Sequence, residues 1–105
     1  MTEALVVLCT FPDAEKARQI GTLLVEKQYA ACINILPGVE SIYQWQGKLC
    51  QEQEVLLIIK TSRRSFPGMS RELKCLHPYD EAEIIALPVV DGSASYLNWL
   101  IDHSR

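Results

Sequence analysis

Two runs in this chain, Leu5-Val6-Val7-Leu8 and Leu56-Leu57-Ile58-Ile59, are apolar at every position. Successive side chains of a strand point to opposite faces, so runs of this kind read as central strands of a sheet that needs cover on both sides. The first strand, Leu5 to Thr10, is broken by Phe11-Pro12-Asp13. Asp13 then reads as the N-cap of an amphipathic helix carrying Ala17, Ile20, Leu24 and Lys27 at spacings of three and four. Ala31 to Trp45 returns to strand character, with Pro37-Gly38 marking a bulge or bend. Gln46-Gly47-Lys48 reads as a hairpin turn leading to a strand from Glu54 to Lys60. Ser65-Phe66-Pro67 opens a second helix with a cap residue and an early proline, and Phe66, Met69, Leu73 and Leu76 share one face of it. His77-Pro78 ends that helix, because the residue before a proline is pushed out of the α region. A last strand, Glu83 to Val90, and a short helix with Tyr96, Leu97, Leu100 and Ile101 complete the order β-α-β-β-α-β-α.

That order predicts an α+β fold of the ferredoxin-like, split β-α-β kind, with helices on one face of a four-stranded antiparallel sheet. Three helical segments do not cover both faces of so apolar a sheet, so the open face is expected to drive self-association. With 105 residues, 49% of them hydrophobic, residues 1–105 read as a single domain. Thirteen acidic against ten basic residues give a net charge of -3, and the only dense basic cluster is Lys60, Arg63 and Arg64, too small a footprint for nucleic acid. Met1-Thr2-Glu3-Ala4 lacks a basic leader, and the apolar run after it is too short for a signal or a membrane span, so a cytoplasmic protein without membrane contact is expected. The four cysteines, Cys9, Cys32, Cys50 and Cys75, form no C-x-x-C clip. They suit a reducing compartment, and any metal site must be assembled from distant positions.

His77 stands out because it sits at a forced helix exit with Asp80, Glu81 and Glu83 just behind it. It reads either as a metal ligand or acid-base group, or as a histidine satisfying the last carbonyls of its helix. Cys9, at the end of the first strand, and Cys32, at the start of the second, read either as small buried hydrophobes or as thiols reaching one sheet edge, where sulfur with imidazole suits copper or zinc. Cys50 and Cys75 have no patterned partners. A catalytic Cys-His pair would need an oxyanion donor set and an orienting group, and no nucleophile elbow or glycine-rich phosphate loop is present, so no enzyme is predicted.

Several stretches together resemble the CutA family, named for divalent-cation tolerance in bacteria. Leu5-Val6-Val7-Leu8-Cys9-Thr10 resembles its first strand, and Ala30-Ala31-Cys32-Ile33-Asn34 with Leu36-Pro37-Gly38 its second. Ser41 to Lys48 is similar to its central hairpin, Lys60-Thr61 to a strand exit, His77-Pro78-Tyr79 to its signature, and Tyr96-Leu97-Asn98-Trp99-Leu100 to its closing helix. The resemblance implies a ferredoxin-like homotrimer in the cytoplasm, with a role in tolerance of copper and other divalent metals. It further implies a weak copper or similar cation site at Cys9 and His77, with Cys32 at a third matching position. Leu76 stands where some members carry a second histidine, and Ala82 where a proline is common. A competing reading is a trimeric regulator of the nitrogen-regulator type holding a small anion with Lys60, Arg63, Arg64 and Tyr79. A third is a scaffold for a protein partner.

Overall fold

In the computed structural model, which describes residues 2–105, the elements are β1 (Ala4–Phe11), α1 (Ala14–Glu26), β2 (Cys32–Trp45), β3 (Lys48–Ser62), α2 (Phe66–Leu76), β4 (Ile85–Pro88) and α3 (Ala94–Asp102). The strands form one sheet in the order β2-β3-β1-β4 with every neighbouring pair antiparallel, which is the α+β split β-α-β arrangement expected from the sequence. Helix α1 starts where Asp13 Oδ1 accepts the Lys16 N–H at 2.7 Å. At the start of α2, Ser65 lies in the αR region and its hydroxyl makes no capping bond. Its Oγ is buried without a partner, so proline at the first turn, rather than the expected serine cap, marks that helix start.

The central hairpin is longer than the sequence suggested. β3 begins at Lys48 rather than Glu54, because Gln51, Glu52 and Gln53 pair with β2 along an arm that needs no buried face. Its turn puts Gln46 and Gly47 both at positive φ, the geometry whose twist matches two antiparallel strands. Pro37-Gly38 is a bulge as expected, the register shifting between Leu36 and Val39 with Gly38 at φ 77°. β4 is shorter than the expected Glu83 to Val90. It is an edge strand paired only with Leu5–Leu8 of β1, and Pro88 has no N–H with which to extend a ladder.

Alternation along the strands sorts the core. Val7, Cys9 and Phe11 of β1 and Val55, Leu57 and Ile59 of β3 face α1 and α2 and close on Ile20, Leu24, Met69 and Leu73. On the other face α3 covers one end only, through Leu100 against Ala4 and Ala31. The rest of that face carries cross-strand rows, Ile58-Leu8-Ile85 and Leu36-Leu56, with Leu36, Ile85 and Leu87 about half exposed.

Candidate functional site

The C-terminal end of β1 brings Cys9 and His77 to one backbone carbonyl. Cys9 points into the helix-covered core with no exposed surface, and its Sγ lies 4.0 Å from the Thr10 oxygen. Burial first, then the carboxylates of Glu83 and Glu54, push the thiol up to about 12. His77 ends α2 in extended conformation, as its proline neighbour requires, and its Nε2 lies 2.8 Å from the same oxygen. A carbonyl only accepts, so Nε2 carries the proton, and Nδ1 accepts the Tyr79 N–H at 3.1 Å. The ring stacks on Phe11 with centroids 4.3 Å apart. His77 is thus held as one neutral tautomer with both nitrogens in use.

Burial lowers the His77 pKa from its ordinary value of 6.5, against opposing pulls from the Thr10 bond and Glu54. Above that ordinary value both folded and unfolded histidine are neutral and contribute no slope. Below it the unfolded chain binds a proton that the folded chain resists, so stability falls as pH drops through this window and levels off below the folded pKa. Urea midpoints measured from about pH 7.5 to about 5.5 are expected to fall, with a visibly flatter profile in His77→Gln.

Cys32 does not join this pair. Cys32 is opposite Lys60 in the ladder whereas Cys9 is opposite Leu57, which offsets the two cysteines by only about 10 Å along the strands but puts them on opposite faces of the sheet. The expectation of one shared edge failed because the offset is an odd number of residues with β3 between the two strands, so Cys9 enters the helix-covered core while Cys32 takes the other face. Cys32 instead neighbours Tyr96 of α3. Among the described residues no three His, Cys, Asp or Glu side chains are arranged to hold a metal ion. The residues of the anion reading are likewise dispersed. Lys60 bonds Asn34 and Arg64 bonds the Ile101 carbonyl, while Tyr79 donates to Glu54 Oε2 at 2.7 Å, about 20 Å along β3 from Lys60.

Sequence reasoning passed over what lies beside His77. Glu52 and Glu54 alternate on one face of β3 and accept the hydroxyls of Tyr43 and Tyr79 respectively. These acceptors raise both phenol pKa values, Tyr43 to about 12 through the Glu52 bond first, and Tyr79 mainly through burial and then Glu54. Between the hairpin arm and the chain from Pro78 to Glu83 runs a cleft of two lobes, each about 350 Å³, sharing Tyr43 and Tyr79. The available signal was the Glu-x-Glu spacing within a strand, hidden by starting that strand at Glu54.

Comparison with known proteins follows the same lines. Residues 5–103 match the family described as CutA1 divalent ion tolerance protein. The divalent-cation tolerance protein CutA of Thermus thermophilus is 48% identical over 94% of this chain and 96% of its own. The solved structure of the T. thermophilus protein superposes with a TM-score of 0.94 at 47% identity, covering 97% of this chain and 99% of that one. The chloroplastic CutA protein of Arabidopsis thaliana is 40% identical over 97% of this chain, which spans 56% of that longer protein.

Proposed function

This chain belongs to the CutA1 divalent ion tolerance family, and on that premise we propose that it serves divalent-cation tolerance as a cytoplasmic, non-enzymatic homotrimer that binds copper weakly through Cys9 and His77. The observation that carries the site is the meeting of Cys9 Sγ and His77 Nε2 at the Thr10 carbonyl. Thiolate sulfur and imidazole nitrogen are a soft pair suited to Cu(I). In the closed state they are not poised for it: the thiol keeps its proton and both imidazole nitrogens are bonded. An incoming ion must displace a proton and at least one hydrogen bond, which makes the binding weak and pH-dependent. Cys32, on the other face, is left out of this site.

The trimer reading is supported by the half-exposed apolar rows on the sheet face that α3 leaves open. Four free thiols fit a reducing cytoplasm, and no helix among the described residues is long and apolar enough to cross a membrane. The test is anaerobic calorimetry of the reduced, metal-free protein with Cu(I) and Zn(II), with native mass measured on the same samples. Saturable binding of one copper per subunit is expected, lost in the Cys9→Ala, His77→Ala double variant while the trimer mass stays unchanged. Unaltered binding in that variant would sink the site.

A further inference from the structure

β1 is laddered to β3 along its whole length, but on its other side β4 accompanies it only as far as Leu8. Cys9, Thr10 and Phe11 lie beyond the end of that edge strand. The chain between α2 and β4 takes the strand's place there with side chains, His77 Nε2 bonding the Thr10 carbonyl and the imidazole stacking on Phe11. Residues 77–84 are neither helix nor strand, and residues 78–83 make no backbone–backbone hydrogen bond among the described residues. Tyr79 makes the two hydrogen bonds this stretch has, its N–H to His77 Nδ1 and its hydroxyl to Glu54 Oε2 at 2.7 Å.

Only the second of these reaches the sheet. Glu54 is 7% exposed and precedes Val55, the residue paired with Phe11. A phenol donating to a carboxylate makes a charge-assisted bond, stronger than a neutral one. The stretch is anchored at both ends, by α2 up to Leu76 and by Ile84 packed on the core, while Pro78, Asp80, Glu81 and Glu83 between them are exposed. Its middle is therefore tied down by one polar contact.

We propose that residues 78–83 form a strap that shuts in Cys9 and His77, and that the Tyr79–Glu54 bond is its latch. With the latch made, the Tyr79 N–H occupies Nδ1 and the Thr10 carbonyl engages Nε2, so the contact is autoinhibitory. When it breaks, the Tyr79 N–H leaves with the strap, and Nδ1 and the thiol are uncovered together. For the ion that enters, the proposal rests on the copper reading; for the strap itself it does not.

The test is iodoacetamide labelling of Cys9 in the metal-free full chain carrying Tyr79→Phe, which keeps the ring beside His77 and the backbone N–H. Labelling is expected to quicken about ten-fold or more, the loss of one hydrogen bond to a charged group, with Cys75 unchanged. Tyr79→Phe leaves the Glu54 charge that helps hold the proton on Cys9, so the gain reports opening rather than easier ionisation. Tyr43→Phe, which removes the matching hydroxyl from Glu52 on the hairpin arm, is expected to leave Cys9 labelling alone. The quickened rate is also expected to depend little on urea well below the unfolding midpoint, because the strap exposes little surface. Cu(I) affinity, with both ligands kept, is expected to tighten by the same factor as labelling, since it scales with the open fraction. Unchanged labelling overturns the strap whatever copper does, and so does a rate as steep in urea as global unfolding. Faster labelling with unchanged copper affinity overturns the strap as the ion's gate. Faster labelling with no copper binding in either protein sustains the strap over the thiol and overturns the copper reading instead.

Discussion

Phe11→Ala is expected to cost the fold about 3–5 kcal/mol, among the largest losses available to a single truncation in this chain. Phe11 has no exposed surface, sits where β1 ends opposite Val55, and is the ring on which His77 stacks. Its removal leaves a cavity under the imidazole as well as losing transfer free energy, and the stacked pair adds its own smaller share. Phe11→Leu keeps most of the volume and is expected to lose clearly less. Urea denaturation at one fixed protein concentration measures both, because any association shifts the midpoint. The variant also carries a second readout. Water entering beside His77 relieves the burial that lowers its pKa, so the fall in stability below pH 6.5 is expected to shrink in Phe11→Ala along with overall stability. A midpoint loss with the pH slope intact would mean that Phe11 packs the core without setting the histidine's environment.

The strand order and the helices were legible because their signals are local. The consecutive apolar positions of Leu5–Leu8 and Leu56–Ile59, the Asp13 cap, the Pro37-Gly38 bulge and the Gln46-Gly47 turn each have a physical cause within a few residues. The hairpin arm was less legible because Gln51 and Gln53 alternate with Glu52 and Glu54, polar on both faces, and hydrophobic periodicity has nothing to register there. The candidate site divided in the same way. Residue type and a proline neighbour singled out His77, and strand position singled out Cys9. Whether Cys32 could join them depended on strand direction and on which face each residue takes, both set by the long-range pairing of β3 between β1 and β2. The Tyr43–Glu52 and Tyr79–Glu54 bonds were out of reach for the same reason, since the second crosses from a loop after α2 to a strand before it.

Cys9 is expected to react with iodoacetamide at about pH 8 roughly a thousand-fold more slowly than an unshifted thiol, while the exposed Cys75 labels at an ordinary rate. The thiolate is the nucleophile, and raising the pKa from 9.0 to about 12 removes about three decades of thiolate at that pH before any steric protection is counted. Peptide mapping by mass spectrometry, timed over minutes to days, separates the four cysteines. Equal rates at Cys9 and Cys75 would mean that the end of β1 is open in solution. The same measurement bears on metal uptake. Opening of the His77 corner frees the thiol from that burial, so Cys9 labelling faster than the closed-state thiolate allows reports the population of the open form, the form a copper ion also reaches. His77→Ala removes the bond to Thr10 and the stack on Phe11, and is expected to speed Cys9 labelling while leaving Cys75 unchanged. The histidine then has two opposed effects on copper. It offers a nitrogen ligand when the corner is open and holds the corner shut when it is not, so its loss lowers affinity while raising access to sulfur.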